Sequence, residues 1–241
     1  MRPYRLAGRR ASYFANAVTI DNAWASISGG FGTNPAYFTI SFWLKMLSAD
    51  STDQALLYTS GGSFFHLYRD STNALTLTMA TPGGTIIFNQ VAAYTGFTVA
   101  AGWQHVMMAV DPGSTAECYV NSVARNPPSV GSDGTIAFDR GDFLLGSSTV
   151  VGGAKLHADI ADFWLDFSWL PPSTAANLAK FRSSGGKPVN LGANGQLPTG
   201  SAPRLYLAGP ASGFLDNKGA PSPDFTLVSG SLADAASSPS S

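Results

Sequence analysis

Side chains that could act as nucleophiles or as general acids and bases are few and scattered in this sequence. The histidines His66, His105 and His157 lie far apart, and none adjoins a Gly-x-Ser-x-Gly turn or a cysteine arranged as a nucleophile. Glu117 is the only glutamate, so no pair of glutamates can serve as acid and nucleophile. We therefore predict no catalytic residues and a protein that is not an enzyme.

The densest acidic cluster is Asp159, Asp162 and Asp166. Side chains alternate between the two faces of a strand, so Asp159 and Asp162 are expected on opposite faces. We interpret the three carboxyl groups as turn and edge residues that face solvent.

Aromatic side chains in loops are the residues that could bind a sugar. Sugars present apolar ring faces that stack on aromatic rings, while polar groups bind their hydroxyls. Trp24, Tyr94 and Phe97 lie in loop-like segments and are the candidate carbohydrate-binding residues, although burial under a loop is the alternative for each. The other tryptophans lie in predicted strands or beside a predicted helix and are expected in the core: Trp43, Trp103, Trp164 and Trp169.

Charge and hydropathy exclude several partners. The 241 residues carry a formal net charge of −1, which leaves no basic field for nucleic acid. No segment approaches the roughly 18 apolar residues of a membrane span, so no membrane insertion is expected. The basic residues 1–10 precede no apolar signal core, which predicts synthesis in the cytoplasm without a signal peptide. The single cysteine, Cys118, excludes an internal disulfide.

The elements that must position these side chains are mainly strands. Charged residues make up only 12% of the chain, and 26 glycines and 15 prolines supply many turns. Phe38–Met46 alternates apolar and polar residues, which predicts a strand. Similar runs occur at Ala55–Thr59, Phe64–Arg69, Ala74–Met79, Thr85–Phe88, His105–Val110, Glu117–Val120, Asp142–Leu145 and Asp159–Phe167. This spacing predicts an all-β antiparallel sandwich of the jelly-roll type.

Three segments are expected along the chain. Residues 1–35 form an N-terminal arm with the first strand, and residues 21–35 are loop-like. Residues 36–186 form the jelly roll, which ends with one short helix over 175–182 capped by Ser173 or Thr174. Residues 187–241 are rich in Pro, Gly and Ser but carry spaced apolar residues. They are expected to form an extended segment packed on the domain or on a neighbouring subunit.

Several short motifs resemble those of laminin-G-like, concanavalin A-like jelly rolls. Phe38-Thr39-Ile40-Ser41-Phe42-Trp43-Leu44-Lys45 is similar to an early strand of that family, and Gly102-Trp103-Gln104-His105-Val106 to its W-x-H-v strand. Glu117-Cys118-Tyr119-Val120-Asn121, Phe143-Leu144-Leu145-Gly146 and Ala158-Asp159-Ile160-Ala161-Asp162-Phe163-Trp164 follow in the family's order. The resemblance covers about residues 36–182.

The resemblance carries expectations about sites. Glucanases of this superfamily resemble one another in an acidic E-x-D-x-x-E strand, which this sequence lacks, so their hydrolytic activity is not expected here. In the family the position of His105 is structural. Many laminin-G-like domains bind Ca²⁺ at the rim of the sandwich through loop oxygens, so calcium is the one cofactor considered. The loop carboxylates that could contribute to such a site are Asp50, Asp53, Asp111 and Asp133.

The segment from Lys187 onwards resembles the ends of jelly-roll proteins of tailed bacteriophages and prophages. This resemblance predicts a virion structural protein on the particle surface, either as capsid decoration or as a tail- or fibre-associated adhesion module. Its expected partners are other virion subunits, further copies of itself and host surface glycans. The alternative is a cellular carbohydrate-binding module of the concanavalin A-like class, and a glycosidase is the weakest hypothesis.

Overall fold

A computed structural model describes residues 13–48, 50–60, 65–91, 94–125, 134–139, 141–149, 151–220 and 223–241. These residues form fifteen strands and one short α-helix, α1 (Ala175–Leu178). The first eight strands are β1 (Val18–Asp21), β2 (Trp24–Ile27), β3 (Phe38–Met46), β4 (Gln54–Thr59), β5 (Phe65–Arg69), β6 (Leu75–Ala80), β7 (Ile86–Val91) and β8 (Gln104–Asp111). The other seven are β9 (Thr115–Val120), β10 (Val123–Ala124), β11 (Phe143–Leu145), β12 (His157–Asp166), β13 (Leu205–Leu207), β14 (Thr226–Ser229) and β15 (Leu232–Asp234).

The strands form two antiparallel sheets. Sheet A has the order β10-β9-β8-β3-β12-β1-β15, and β13 also pairs with β12. Sheet B has the order β14-β2-β11-β4-β5-β6-β7. The predicted all-β jelly-roll sandwich is therefore confirmed, and the nine predicted strands correspond to β3–β9, β11 and β12, with ends that agree within three residues. The predicted start of one strand, Phe64, lies outside the described residues.

The core between the sheets follows from the alternation in the sequence. In β3, Phe38, Ile40, Phe42 and Leu44 are buried in the central cluster. Burial of each such side chain contributes about 1.5–3 kcal/mol of hydrophobic free energy. Aromatic rings fill one end of the core, where Phe31, Phe38, Phe65, Phe138 and Phe143 contact one another.

The outer face of sheet A is covered by residues from the two ends of the described chain. Trp164 of β12 packs against Phe181 at 4.9 Å between ring centroids, and its indole N–H donates to the carbonyl of Gly195 at 2.9 Å. Tyr206 and Leu191 are buried in the same cluster. The 187–241 segment thus packs on its own domain and supplies β13 to sheet A, β14 to sheet B and β15 to sheet A.

A β-bulge in β12 changes the expected direction of an acidic side chain. The register between β12 and β3 shifts between Ala161 and Trp164, and Asp162 has φ +47°. Asp159 bonds Thr19 and Lys45, whereas Asp162 bonds Tyr13 and Tyr206, all on the outer face of sheet A.

The expectation of opposite faces for Asp159 and Asp162 is wrong because the extra residue in the bulge resets the alternation. The interpretation as solvent-facing residues is also wrong for these two. Both Asp159 and Asp162 are buried, while Asp166 is intermediate.

Two local expectations also need correction. The predicted loop over 21–35 contains strand β2, which pairs with β11 and β14. The predicted helix over 175–182 is regular only from Ala175 to Leu178. After Leu178 the chain forms a tighter turn, in which the Phe181 N–H donates to the Leu178 carbonyl. Phe181 then packs against Trp164. No helix in the described ranges is long and apolar enough to cross a membrane.

Candidate functional site

The outer face of sheet B carries a groove of about 170 Å³ with aromatic, acidic and hydroxyl groups. Strands β4 and β5 provide its floor, and the β3–β4 and β11–β12 loops provide its rim. The lining residues are Asp53, Ala55, Tyr58, Tyr68, Ser148 and Ala154. We call it the Tyr58–Tyr68 groove.

Strand register places the aromatic residues on one face. Tyr58 lies opposite His66, which lies opposite Thr78, while Tyr68 lies between Ala55 and Thr76 in the next row. The intervening residues, such as Leu67, are buried in the core. Period-two alternation therefore turns the tyrosines outward, and both are half-buried.

Tyr58 and His66 stack face to face across the β4–β5 pair. Their rings are parallel within 4°, and their centroids are 3.5 Å apart. Stacking in a cross-strand pair fixes both rings relative to the sheet. The face is thus ordered before any ligand arrives, which lowers the entropic cost of binding.

A buried arginine fixes the acidic rim. The Arg69 side chain is 0% exposed, and its guanidinium donates to the Thr52 carbonyl at 2.8 Å and to the Phe97 carbonyl at 3.3 Å. It also lies 3.5 Å from the Asp50 carboxylate. Burial lowers the pKa of Arg69, and the nearby aspartates oppose that change. Arg69 therefore holds the loop that carries Asp53 against the end of β5.

The opposite rim is formed by residues 147–149 and 151–154. The Ser147 hydroxyl lies 2.8 Å from the Thr149 carbonyl and 3.0 Å from the Gly153 carbonyl. Ala154 has φ +40°, a rare conformation for a residue with a side chain, and its carbonyl accepts from the Ala55 N–H at 2.8 Å. Such strain persists only where the surrounding structure imposes it, and it is common at binding sites.

The groove is electronegative and rich in hydroxyl donors. Burial and the proximity of Tyr68 and Asp53 raise the pKa of Tyr58. Burial and the charges of Asp53 and Asp70 likewise raise the pKa of Tyr68, against a hydrogen bond from Thr76. Both phenols are therefore protonated at neutral pH and can donate hydrogen bonds, while the Asp53 carboxylate can accept them.

This combination can bind a sugar and lacks the groups for two-carboxylate hydrolysis. Aromatic faces match the apolar faces of a pyranose, and Asp53, Ser148 and the phenols match its hydroxyls. Asp53 is the only carboxylate among the residues that line the groove. A retaining or an inverting glycosidase needs two.

The structure places the three predicted sugar-binding residues away from this groove. Trp24 lies in β2 and is 6% exposed, and Phe97 is 1% exposed. The expected loop location is wrong for Trp24, which lies in β2 close to Gly152. Phe97 does lie in a loop, but it is buried, which is the alternative given above, and it packs on Tyr94 with 5.4 Å between ring centroids. Tyr94 is half-buried, and the Arg125 guanidinium lies 4.6 Å from its ring centroid.

The predicted calcium ligands are not assembled into a metal site. Within the described ranges, no three Asp, Glu, His or Cys side chains lie close enough to hold a metal ion. Asp50 is engaged by Arg69 and by the Val99 N–H, while Asp111 ends β8. Asp133 lies outside the described residues. Calcium binding stays a prediction, which thermal unfolding with and without a chelator would test.

His105 and Cys118 are buried without access to a ligand. Burial lowers the pKa of His105 to about 3, assisted by the charge of Arg182, so its ring is neutral. Its Nε2 lies 2.9 Å from the Ser41 hydroxyl. Burial raises the pKa of the Cys118 thiol to about 12. Neither residue has the accessibility or the charge state of a reactive group.

The chain belongs to the concanavalin A-like lectin/glucanases superfamily. The sequence profile of that family matches residues 18–166, which is more than half of the chain. The match begins at β1 and ends at β12, so it includes the first strand and excludes the 187–241 segment. No curated protein sequence matches this chain.

One solved structure shows the same fold at low sequence identity, and two others align less well. A "putative carbohydrate binding protein from Bacteroides ovatus" aligns over 94% of this chain and 62% of its own, with a TM-score of 0.63 and 14% identity. The chain thus spans about three fifths of the length of that protein. A binding domain of Paraclostridial Mosquitocidal Protein 1 aligns over 63% of this chain and 38% of its own, with a TM-score of 0.46 and 15% identity. A heptameric SAP-like pentraxin from Limulus polyphemus aligns over 70% and 78%, with a TM-score of 0.42 and 13% identity.

Proposed function

We propose that this protein is a non-catalytic carbohydrate-binding protein whose ligand lies in the Tyr58–Tyr68 groove. The observation that carries the proposal is the alignment of Tyr58, His66 and Tyr68 on one outer sheet face beside the Asp53 carboxylate. The family match and the description of the Bacteroides protein support a saccharide as the ligand class.

The geometry supports a chain of sugars rather than a single enclosed residue. The groove is open to solvent, and the row of Tyr58 and His66 continues across β4, β5 and β6 to the half-buried Thr78. Neighbouring strands are about 4.8 Å apart, so three strands span about 10 Å, close to the length of a disaccharide. The ligand would then lie across the strands, with one sugar ring in contact with Tyr58, whose ring is fixed by its stacking on His66.

A glycan array with the purified chain tests the proposal. Tyr58→Ala and Tyr68→Ala should each lower binding to the preferred glycan about five- to thirtyfold, because each removes an aromatic contact worth roughly 1–2 kcal/mol. Tyr119→Ala is the matched control, since Tyr119 is also a half-buried tyrosine on a strand but lies in sheet A. No binding to any glycan, or equal losses in all three variants, would contradict the proposal.

The second candidate is the phage virion role, in which this chain is the surface adhesion module of a particle. The low net charge and the resemblance of the 187–241 segment to phage proteins favour it. Because that segment is docked on its own domain, adhesion to host glycans is a better fit than a strap across a capsid neighbour. Mass spectrometry of purified particles from the source tests it: the chain must be present in them.

A further inference from the structure

A second cavity, of about 430 Å³, lies outside the Tyr58–Tyr68 groove and has a different chemical character. Its walls are the glycine-rich loop that follows β2, the side chain of Arg204 just before β13, and Pro223. The loop residues that line it are Ser28, Gly29, Gly30, Phe31, Gly32 and Thr33. We call it the Arg204 cavity.

The loop is rigid, and it presents backbone to the cavity. The Phe31 N–H donates to the Phe138 carbonyl at 2.6 Å, and the Phe31 ring is buried in the core. A Cβ on Gly30 would lie 2.3 Å from that same carbonyl, so the backbone approaches too closely for any side chain. A Cβ on Gly29 or Gly32 would meet nothing within 4 Å, because those positions border open space.

The Arg204 guanidinium is ordered by an aromatic ring, and it is the backbone N–H of Arg204, not the side chain, that hydrogen-bonds the Asp166 carboxyl. The guanidinium carbon lies 5.0 Å from the centroid of the Phe167 ring, an arrangement that orders the side chain. Within the described part of the chain, no carboxylate oxygen lies within 4 Å of the guanidinium nitrogen atoms, in contrast to Arg69 and Lys45. The nearby carboxyl is Asp166, whose pKa is raised by burial against the opposing charge of Arg204.

We propose that the Arg204 cavity binds the carboxylate or sulfate group of an acidic saccharide. A guanidinium presents parallel N–H donors that match the oxygens of either anion. Ser28 and Thr33 line the same cavity, and their hydroxyls can add donors. The inference rests on the proposed function in that it takes the ligand to be a saccharide.

The experiment compares paired glycans that share a backbone and differ only in a carboxylate or sulfate group. Binding is measured for the wild-type chain, Arg204→Gln and Arg125→Gln. Arg125 is the matched control, since its guanidinium also stacks on an aromatic ring but does not line this cavity. We expect the acidic member of each pair to bind the wild-type chain at least about tenfold more tightly, as charge-assisted hydrogen bonds predict. Arg204→Gln should abolish that preference, and Arg125→Gln should keep it.

Equal binding of the acidic and neutral members, or a preference that survives Arg204→Gln, would overturn this assignment while leaving binding of neutral glycans in the Tyr58–Tyr68 groove intact. Binding of no glycan at all would defeat the proposed function as well. Sodium sulfate alone distinguishes the source of the anion. If sulfate raises the melting temperature through Arg204 while acidic saccharides bind no better than neutral ones, the cavity holds a free anion, and the saccharide assignment is wrong.

Discussion

The phenol of Tyr13 donates a 2.8 Å hydrogen bond to Oδ1 of Asp162, which lies 149 positions further along the chain. Tyr206, from the 187–241 segment, approaches the same oxygen at 3.4 Å. Asp162 is 3% exposed, and its Oδ2 has no hydrogen-bond partner among the described residues. The bulged residue Asp162 of β12 thus links Tyr13, at the start of the described chain, to Tyr206 of β13.

The buried carboxyl of Asp162 predicts a pH-dependent stability. Burial raises the pKa of Asp162 to about 7, although the hydrogen bonds from Tyr13 and Tyr206 oppose the increase. An aspartate in the unfolded chain has a pKa of about 3.9. The folded state therefore binds the proton of Asp162 more tightly, so the contribution of this residue to stability should be greatest below pH 4, fall between pH 4 and 7, and then level off.

The size of this fall should be about 2–4 kcal/mol, since each pKa unit corresponds to 1.36 kcal/mol. Urea unfolding of the wild-type chain and Asp162→Asn across this range measures it. Asp162→Asn should show a smaller decrease in stability with rising pH. Tyr13→Phe should move the upper end of the decrease to higher pH, because it removes a hydrogen bond that favours the ionised carboxyl. Identical pH profiles for the wild type and Asp162→Asn would contradict this reading.

We expect two similar substitutions in the glycine-rich loop after β2 to lower the free energy of unfolding by unequal amounts. Gly30→Ala places a methyl group 2.3 Å from the Phe138 carbonyl at φ +65°, so backbone must move. Gly29→Ala has the comparable φ of +81° but open space around it. We expect Gly29→Ala to cost about 1–2 kcal/mol from backbone strain alone and Gly30→Ala to cost clearly more. Chemical denaturation measures both, and equal costs would show that the loop does not approach Phe138 closely.

The buried guanidinium of Arg69 predicts a coupling between stability and ligand binding. Arg69→Met leaves the carbonyls of Thr52 and Phe97 without this donor, and each buried acceptor that loses its partner costs about 1–3 kcal/mol. Because the same loop carries Asp53, glycan affinity should fall in the fraction that remains folded. Asp50→Asn is the control, since its side chain is 44% exposed and screened by solvent. An Arg69→Met chain with unchanged stability would contradict the role given to this residue.

We expect removal of the 187–241 segment to unfold the domain. Its removal takes away β13, β14 and β15 and uncovers Trp164 and Met107 on sheet A. A chain that ends at residue 186 should therefore lose its cooperative thermal transition and expose apolar surface. Calorimetry of the truncated chain checks this, and a melting temperature equal to that of the whole chain would show that the segment is dispensable.

The sequence alone predicts the strands of the sandwich, because a half-buried strand needs apolar and polar residues in alternation. Strand β3 shows this alternation in nearly every residue. The sequence does not predict the bulge at Asp162, since one extra residue depends on how β3 and Tyr206 pack against β12. The sequence does not predict strand β2, because this strand has only four residues. Most of them are buried, so they show no alternation of apolar and polar residues.

The sequence does not predict the Tyr58–Tyr68 groove, for a different reason. Tyr58 and Tyr68 lie in predicted strands, whereas the predicted sugar-binding aromatic residues lie in loop-like segments. Their side chains share a face only through the pairing of β4 with β5, a contact between segments that no local pattern contains. Alternation around Leu57 and Leu67 does turn these tyrosines outward, which is the signal that could have found them.

Contact between a saccharide and both Tyr58 and Tyr68 can be tested by NMR of the chain labelled with ¹³C at its tyrosine rings, titrated with the glycan that binds best on the array. We expect the ring signals of Tyr58 and Tyr68 to shift in proportion to the fraction of protein that has bound glycan, while those of Tyr37 and Tyr119 do not move. Shifts confined to Tyr94 or to other tyrosines, with Tyr58 and Tyr68 unchanged at saturation, would contradict it.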